Sequence, residues 1–96
     1  MAARAKKIDS QQFALISKAL ADPNRLEILQ KLGESRQAAT CTCIRDWLQL
    51  SPATISHHLK ELESVGLIHV ERRGKFAYVS VRRDTLKSYL ERLAGI

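Results

Sequence analysis

The chain has 96 residues, enough for one domain and too few for two independent cores. Apolar residues make up 45% and charged residues 27%, a balance that suits a folded globular chain and excludes a disordered one. Sixteen Lys and Arg against ten Asp and Glu leave +6, which puts nucleic acid first among partner classes.

Residues 1–8 read as a mobile basic arm and residues 9–96 as the domain. The arm's Arg4, Lys6 and Lys7 lead into Asp9, Gln11 and Gln12 rather than into an apolar run, so no secretory signal is expected. Apolar runs elsewhere are as short as Ile28-Leu29 and Leu67-Ile68, against about 18 residues for a membrane span. The expectation is a cytoplasmic protein with no membrane partner.

A first helix is predicted from Asp9 or Ser10, with Phe13, Ile16 and Leu20 at helical spacing. Asp22-Pro23 then starts a second: the carboxylate caps free NH groups, and proline suits the first helical position because it has no NH to leave unpaired. That helix is expected to run to Leu32, with Leu26, Leu29 and Leu32 on its buried face and Gly33 as its stop. Residues 34–40 are small and polar and read as a loop. A third helix carries Ile44, Trp47 and Leu48, and Ser51-Pro52 repeats the start signal for a fourth. Its stripe of Ile55, Leu59, Leu62 and Val65 ends at Gly66, giving a rod of about 14 residues and about 21 Å. The period then changes to two: Ile68 and Val70 oppose His69 and Glu71, a turn of Arg72-Arg73-Gly74-Lys75 follows, and Phe76 to Val81 alternate again. Asp84 is the expected cap of a final helix with Leu86, Tyr89, Leu90 and Leu93. The fold class is mainly α with a small β-hairpin, a winged helix-turn-helix of order ααααββα.

The tight Leu50-Ser51-Pro52 connection makes helices three and four a helix-turn-helix, whose second helix enters the DNA major groove. With the apolar stripe inward, Ala53, Thr54, Ser56, His57 and Lys60 face other ways, the early ones short enough to let the backbone approach base edges. His57 and His58 both lie on this helix and are expected to donate to bases or phosphates, while His69 points out from a strand. Arg72, Arg73 and Lys75 at the hairpin tip form a wing that reaches the phosphate backbone or minor groove. Catalysis is not expected: the sequence offers no phosphate-cradling glycine loop, and Glu61 and Glu63, two apart on a helix, do not face each other. The alternative function is a winged-helix module that binds protein or RNA.

Ala21-Asp22-Pro23-Asn24-Arg25-Leu26-Glu27-Ile28-Leu29, then Leu50-Ser51-Pro52-Ala53-Thr54-Ile55-Ser56-His57-His58-Leu59-Lys60-Glu61-Leu62, then Val65-Gly66-Leu67-Ile68 with the Arg-Arg-Gly-Lys turn, resemble the ArsR/SmtB winged-helix repressors. The resemblance covers the chain from residue 9. It implies a prokaryotic homodimer that occupies an operator until an effector loosens it, with Ser51, Ala53, Thr54, Ser56, His57 and the wing on DNA. It also implies dimerisation through the first and last helices, where Phe13, Ile16, Leu86, Tyr89, Leu90 and Leu93 offer apolar surface. Two recognition helices would then lie about 34 Å apart on an inverted-repeat operator.

Cys41-Thr42-Cys43 is the candidate effector site. Its spacing does not suit an internal disulfide, and three readings stay open. Soft thiolates suit a thiophilic metal or metalloid such as arsenite, antimonite, cadmium, zinc or copper(I), with further ligands needed from elsewhere or from a second subunit. A position at a helix start equally suits oxidation or alkylation by a peroxide, polysulfide or quinone. Both thiols are otherwise inert fillers. Metal-sensing family members carry Cys-x-Cys after Glu-Leu, where this chain has Ala39-Thr40, and its cysteines fall one residue nearer the recognition helix. The family's other metal site, on the last helix, lacks its histidines here, which disfavours nickel, cobalt and zinc sensing through it.

Overall fold

The computed structural model describes residues 7–35 and 37–96. Among these residues, five helices and three strands follow in the order α1 (Ser10–Ala19), α2 (Pro23–Glu34), β1 (Ala39–Thr40), α3 (Cys41–Leu48), α4 (Pro52–Ser64), β2 (Ile68–Arg73), β3 (Phe76–Val81) and α5 (Arg83–Ala94). This is the winged helix-turn-helix expected from the sequence, with one strand more than the hairpin.

The helix starts follow the capping chemistry. Asp9 accepts from the Gln12 amide at 2.7 Å, Asp22 from Asn24 at 2.8 Å and Arg25 at 3.3 Å, Thr40 from Cys43 at 3.3 Å and Ser51 from Thr54 at 3.2 Å. Each such bond satisfies one of the amides that a helix start leaves without a partner. The last helix departs from expectation: Arg82 occupies its cap position with no side-chain bond, and Asp84 lies within the first turn. There its charge complements the helix dipole instead of capping.

Two boundaries also move. Gly33 does not stop α2, which continues to Glu34 and ends at Ser35; the Gly33 carbonyl accepts from Arg83 Nη2 at 2.9 Å, fastening α2 to the start of α5. Ile8, assigned above to the arm, is buried, and its carbonyl accepts from Arg92 at 3.1 Å. The domain therefore begins at Ile8; residues 1–6 of the expected arm lie outside the described residues.

One core gathers Ile16, Ile28, Ile44, Leu62, Leu67, Ile68 and Val79, all essentially inaccessible. On α2 the inward stripe is Ile28, Leu29 and Leu32, while Leu26 is 40% exposed. Beyond α4, Gly66 takes φ +84°, and a β-carbon there would sit 3.1 Å from Gln12 Nε2. That amide donates to the Val65 carbonyl at 3.0 Å, so a side chain at Gly66 would break the tie between α1 and the end of α4.

The antiparallel sheet has the order β1-β3-β2. Val79 pairs with both Ala39 and Val70, and Arg73 with Phe76, leaving Gly74 and Lys75 as a two-residue turn. Gly74 has φ +58°, the positive value that the first position of such a turn requires. The expected loop over residues 34–40 thus ends in an edge strand of two residues, which seats the start of α3 on the sheet.

Partial burial acts against the charged Asp22 carboxylate, but backbone bonds from Arg25 and Asn24, and then nearby positive charge, outweigh it and hold the carboxyl below the ordinary aspartate value. The stability it confers is therefore present above about pH 3.9 and lost as the pH falls through the lowered folded value. Asp22→Ala should cost about 1 kcal/mol at pH 7 in urea denaturation, and the gap to the parent should close in acid. A gap undiminished near pH 2 would contradict this account.

Candidate nucleic-acid interface

The helix-turn-helix is set by one residue. Gln49 ends α3 in the left-handed region (φ 58°), its amide donating to the Arg45 carbonyl at 2.8 Å, and this reversal brings Ser51 to the head of α4. Ile55, Leu59 and Leu62, with Val65 just past the end, are buried as expected, so the opposite side of α4 must face solvent. Ala53, Ser56, His57 and Lys60 are all exposed there, at the i, i+3, i+4, i+7 spacing of one helical face. Ser51 is exposed beside them; Thr54 is half-buried, its hydroxyl 2.8 Å from that of Ser51. Thr54 thereby closes the first turn as much as it offers a donor.

His58 does not belong to this face. It is 6% exposed, and Arg25 Nη1 donates to its Nδ1 at 3.4 Å. It directly follows His57, but about 100° of helix rotation gives the two side chains different directions. Arg25 also donates through Nε to the Ala19 carbonyl at 2.7 Å, so a single guanidinium joins the end of α1, the start of α2 and the inner side of α4. His58 is thus corrected from a DNA donor to a strut that holds the helix.

At the wing, Arg72, Arg73, Lys75 and Phe76 are exposed. Arg73 is already engaged: its Nε and Nη2 bond the two Glu71 carboxylate oxygens at 3.0 and 3.1 Å, and its guanidinium carbon lies 5.3 Å from the Tyr78 ring centre. That hydrogen bond, and then the arginine's charge, hold the Glu71 carboxyl below its ordinary value. Arg72 and Lys75 are engaged in no ion pair among the described residues. Sequence reasoning missed Glu71 as a brake on the wing and Phe76 as an apolar tip; a carboxylate two residues from an arginine on one strand face was the available signal.

The dimer candidates divide. Ile16 is wholly buried in its own core, which corrects its assignment to an interface. Tyr89 is also largely covered, its hydroxyl 2.9 Å from Ser17 Oγ and its ring 5.1 Å from Phe13. Phe13 and Leu86 are half-buried against the same core. Leu90 and Leu93 remain exposed, as does Leu15 of α1, which the sequence did not single out. Cys41 is half-buried and Cys43 exposed; both are free. About 200° of helix separates them, and no group of three or more metal-binding side chains exists among the described residues. A metal at the pair would need ligands from beyond one subunit.

The pattern of a helix-turn-helix domain matches residues 20–71, from the end of α1 into β2. The uncharacterized HTH-type transcriptional regulator YceK of Bacillus subtilis is 35% identical across 88% of this chain and 85% of its own. A CadC homolog of Staphylococcus aureus, a cadmium resistance transcriptional regulatory protein, is 33% identical across 93% of this chain and 76% of its own. The chain belongs to the ArsR/SmtB family of winged helix-turn-helix transcription regulators. The homodimeric DNA-binding domain of a possible ArsR-family regulator from Mycobacterium bovis superposes with a TM-score of 0.73 at 28% identity, over 88% of this chain and 79% of that one. The chain is accordingly a DNA-binding regulator and not an enzyme, and no helix of its described residues is long and apolar enough to cross a membrane.

Because Glu71 restrains Arg73, Glu71→Gln should tighten binding to any duplex and steepen the log-log salt slope by about 0.9, the contribution of one further phosphate. Thermal stability should hardly change, since exposed ion pairs contribute little. Fluorescence anisotropy across a salt series reads both; an unchanged slope would show that Arg73 does not reach DNA.

Proposed function

We propose that this regulator is a homodimeric repressor that reads an inverted-repeat operator in the cytoplasm and lets go of it when an effector acts at Cys41 or Cys43. The observation that carries the DNA reading is the continuous outer stripe of α4, Ala53, Ser56, His57 and Lys60, beside a wing that carries Arg72, Arg73 and Lys75. Small residues at the head of the stripe let the helix approach the groove floor, where Ser56 and His57 meet base edges. Ser51 and Thr54 brace the first turn and lend their hydroxyls to the backbone; Lys60 and the wing neutralise phosphates. Leu15, Leu90 and Leu93 supply exposed apolar surface for the second copy, and the homodimeric relative supports that assembly.

Release is expected to start at α3 because both thiols sit in its first turn, directly after the edge strand. α3 packs on α4 and leads into it through the strained Gln49 turn, so a displacement at Cys41 moves the recognition helix. A thiophilic ion fits if the partner subunit completes its coordination; oxidation or alkylation needs the thiols alone. The family's cadmium-resistance relative favours the first.

The test is binding to a selected palindromic duplex and to its scrambled form, with subunit number read by sedimentation. Ser56→Ala and His57→Ala should cost about 1–3 kcal/mol on the palindrome and little on the scramble, while Arg72→Ala and Lys75→Ala should weaken both alike. A monomer with a flat salt slope would defeat the proposal. For the effector, Cys41→Ser with Cys43→Ser should preserve operator affinity and abolish release by arsenite or cadmium and by hydrogen peroxide; if the variant still lets go, the sensor lies elsewhere.

A further inference from the structure

Where α3, α4 and the wing meet, they enclose a cleft of about 200 Å³. Its floor is apolar, built from Ile55 and Leu59 of α4 with Val70 and Ala77 of the wing strands. Its rim is cationic: α3 contributes Arg45, α4 Lys60 and β2 Arg72, against the single carboxylate of Glu63 among the lining residues. The half-buried Cys41 forms part of the wall. Such a floor favours a hydrophobic body, and such a rim, a net negative end. The volume falls below the roughly 300 Å³ at which drug-sized pockets begin, which limits the body to one ring or a short branched chain.

We infer that this cleft binds a small amphipathic organic acid, its apolar body on Ile55, Leu59, Val70 and Ala77 and its carboxylate toward Lys60 and Arg72. Ser56 also lines the cleft, so three residues assigned above to DNA, Ser56, Lys60 and Arg72, serve both ligands. An acid seated there neutralises phosphate-binding cations and blocks the flank of the recognition helix, so it competes with DNA. The binding itself stands on the cleft alone; the competition rests on the proposed function.

Benzoate is a suitable probe, with benzyl alcohol as the ring without charge and inorganic phosphate as the charge without ring. Titrated into the 15N-labelled full chain without DNA, benzoate should shift the amides of Cys41, Ser56, Val70 and Ala77 and saturate, with each control binding at least about tenfold more weakly, a difference of about 1.4 kcal/mol. It should also slow alkylation of Cys41 by iodoacetamide in the Cys43→Ser protein. Ala77→Leu fills the floor and should lower benzoate affinity about tenfold; Lys60→Gln, on the solvent side of α4, should weaken benzoate but not benzyl alcohol. Shifts confined to α5, equal binding of phosphate, or unchanged affinity in both variants would overturn the site. Saturating benzoate should raise the apparent Kd for duplex DNA. An unchanged Kd with the cleft shifts present would overturn the competition alone, whereas absence of DNA binding in the untreated protein would instead defeat the proposed function.

Discussion

The surface chemistry depends on how firmly α4 is held from behind. Its inner stripe of Ile55, Leu59 and Leu62, with Val65 after its end, lies in the shared core, and burial of four such side chains, each worth about 1.5–3 kcal/mol, fixes the rotation of the helix about its axis. Polar struts then fix its position along that axis. Arg25 joins His58, midway along α4, to the Ala19 carbonyl, and Gln12 joins α1 to the Val65 carbonyl just past the helix's C-terminal end. A stripe of small polar residues can recognise base edges only if it is presented at one angle, and these two ties, one midway along α4 and one just past its C-terminal end, hold that angle without using any residue of the outer face.

The wing follows a different principle. It has no core of its own beyond the first pairs of β2 and β3, so its cations are placed by strand register and by contacts between neighbouring side chains. Arg73 engages its guanidinium with Glu71 and Tyr78, which orients it and pairs its charge with a carboxylate. Arg72 and Lys75, with no ion-pair partner among the described residues, carry the field that an approaching phosphate meets. In the proposed reading the molecule therefore separates its tasks: a rigid helix for discrimination, and a lightly braced ribbon for charge.

Much of this was legible in the sequence, and the parts that were share one property: they depend on neighbours within a few residues. Asp22-Pro23 and Ser51-Pro52 marked helix starts because capping is local, and the stripe from Ile55 to Val65 gave the rotation of α4 because its period is regular. What failed depends on distant partners. His58 was placed on the DNA side because no pattern within α4 reveals that Arg25, 33 residues away, reaches its ring. Ile16 was read as interface because its own helix does not tell whether the apolar face meets its own core or another copy. Leu26 looked inward by the three-residue spacing to Leu29, yet Ile28 takes the inner place. Gly33 looked like a stop, but it adopts ordinary helical geometry and its carbonyl serves Arg83 of α5. The two-residue strand β1 is too short to show any period, and only pairing with Val79 and Tyr78 defines it.

That short strand bears on the proposed release. Thr40 is at once its last residue, the partner of Tyr78 and the cap of α3, so the thiol of the very next residue, Cys41, is anchored on one side to the sheet and on the other to the helix that feeds α4. A bulky or charged group added to this half-buried side chain enters the cleft between the recognition helix and the wing strands, where it meets residues of both. Cys43, exposed and about 200° farther round the first turn, lacks that leverage. The same change at the two positions is therefore unequal, and in the proposed release it is Cys41, set in the wall between α4 and the wing strands, whose modification would reach both elements.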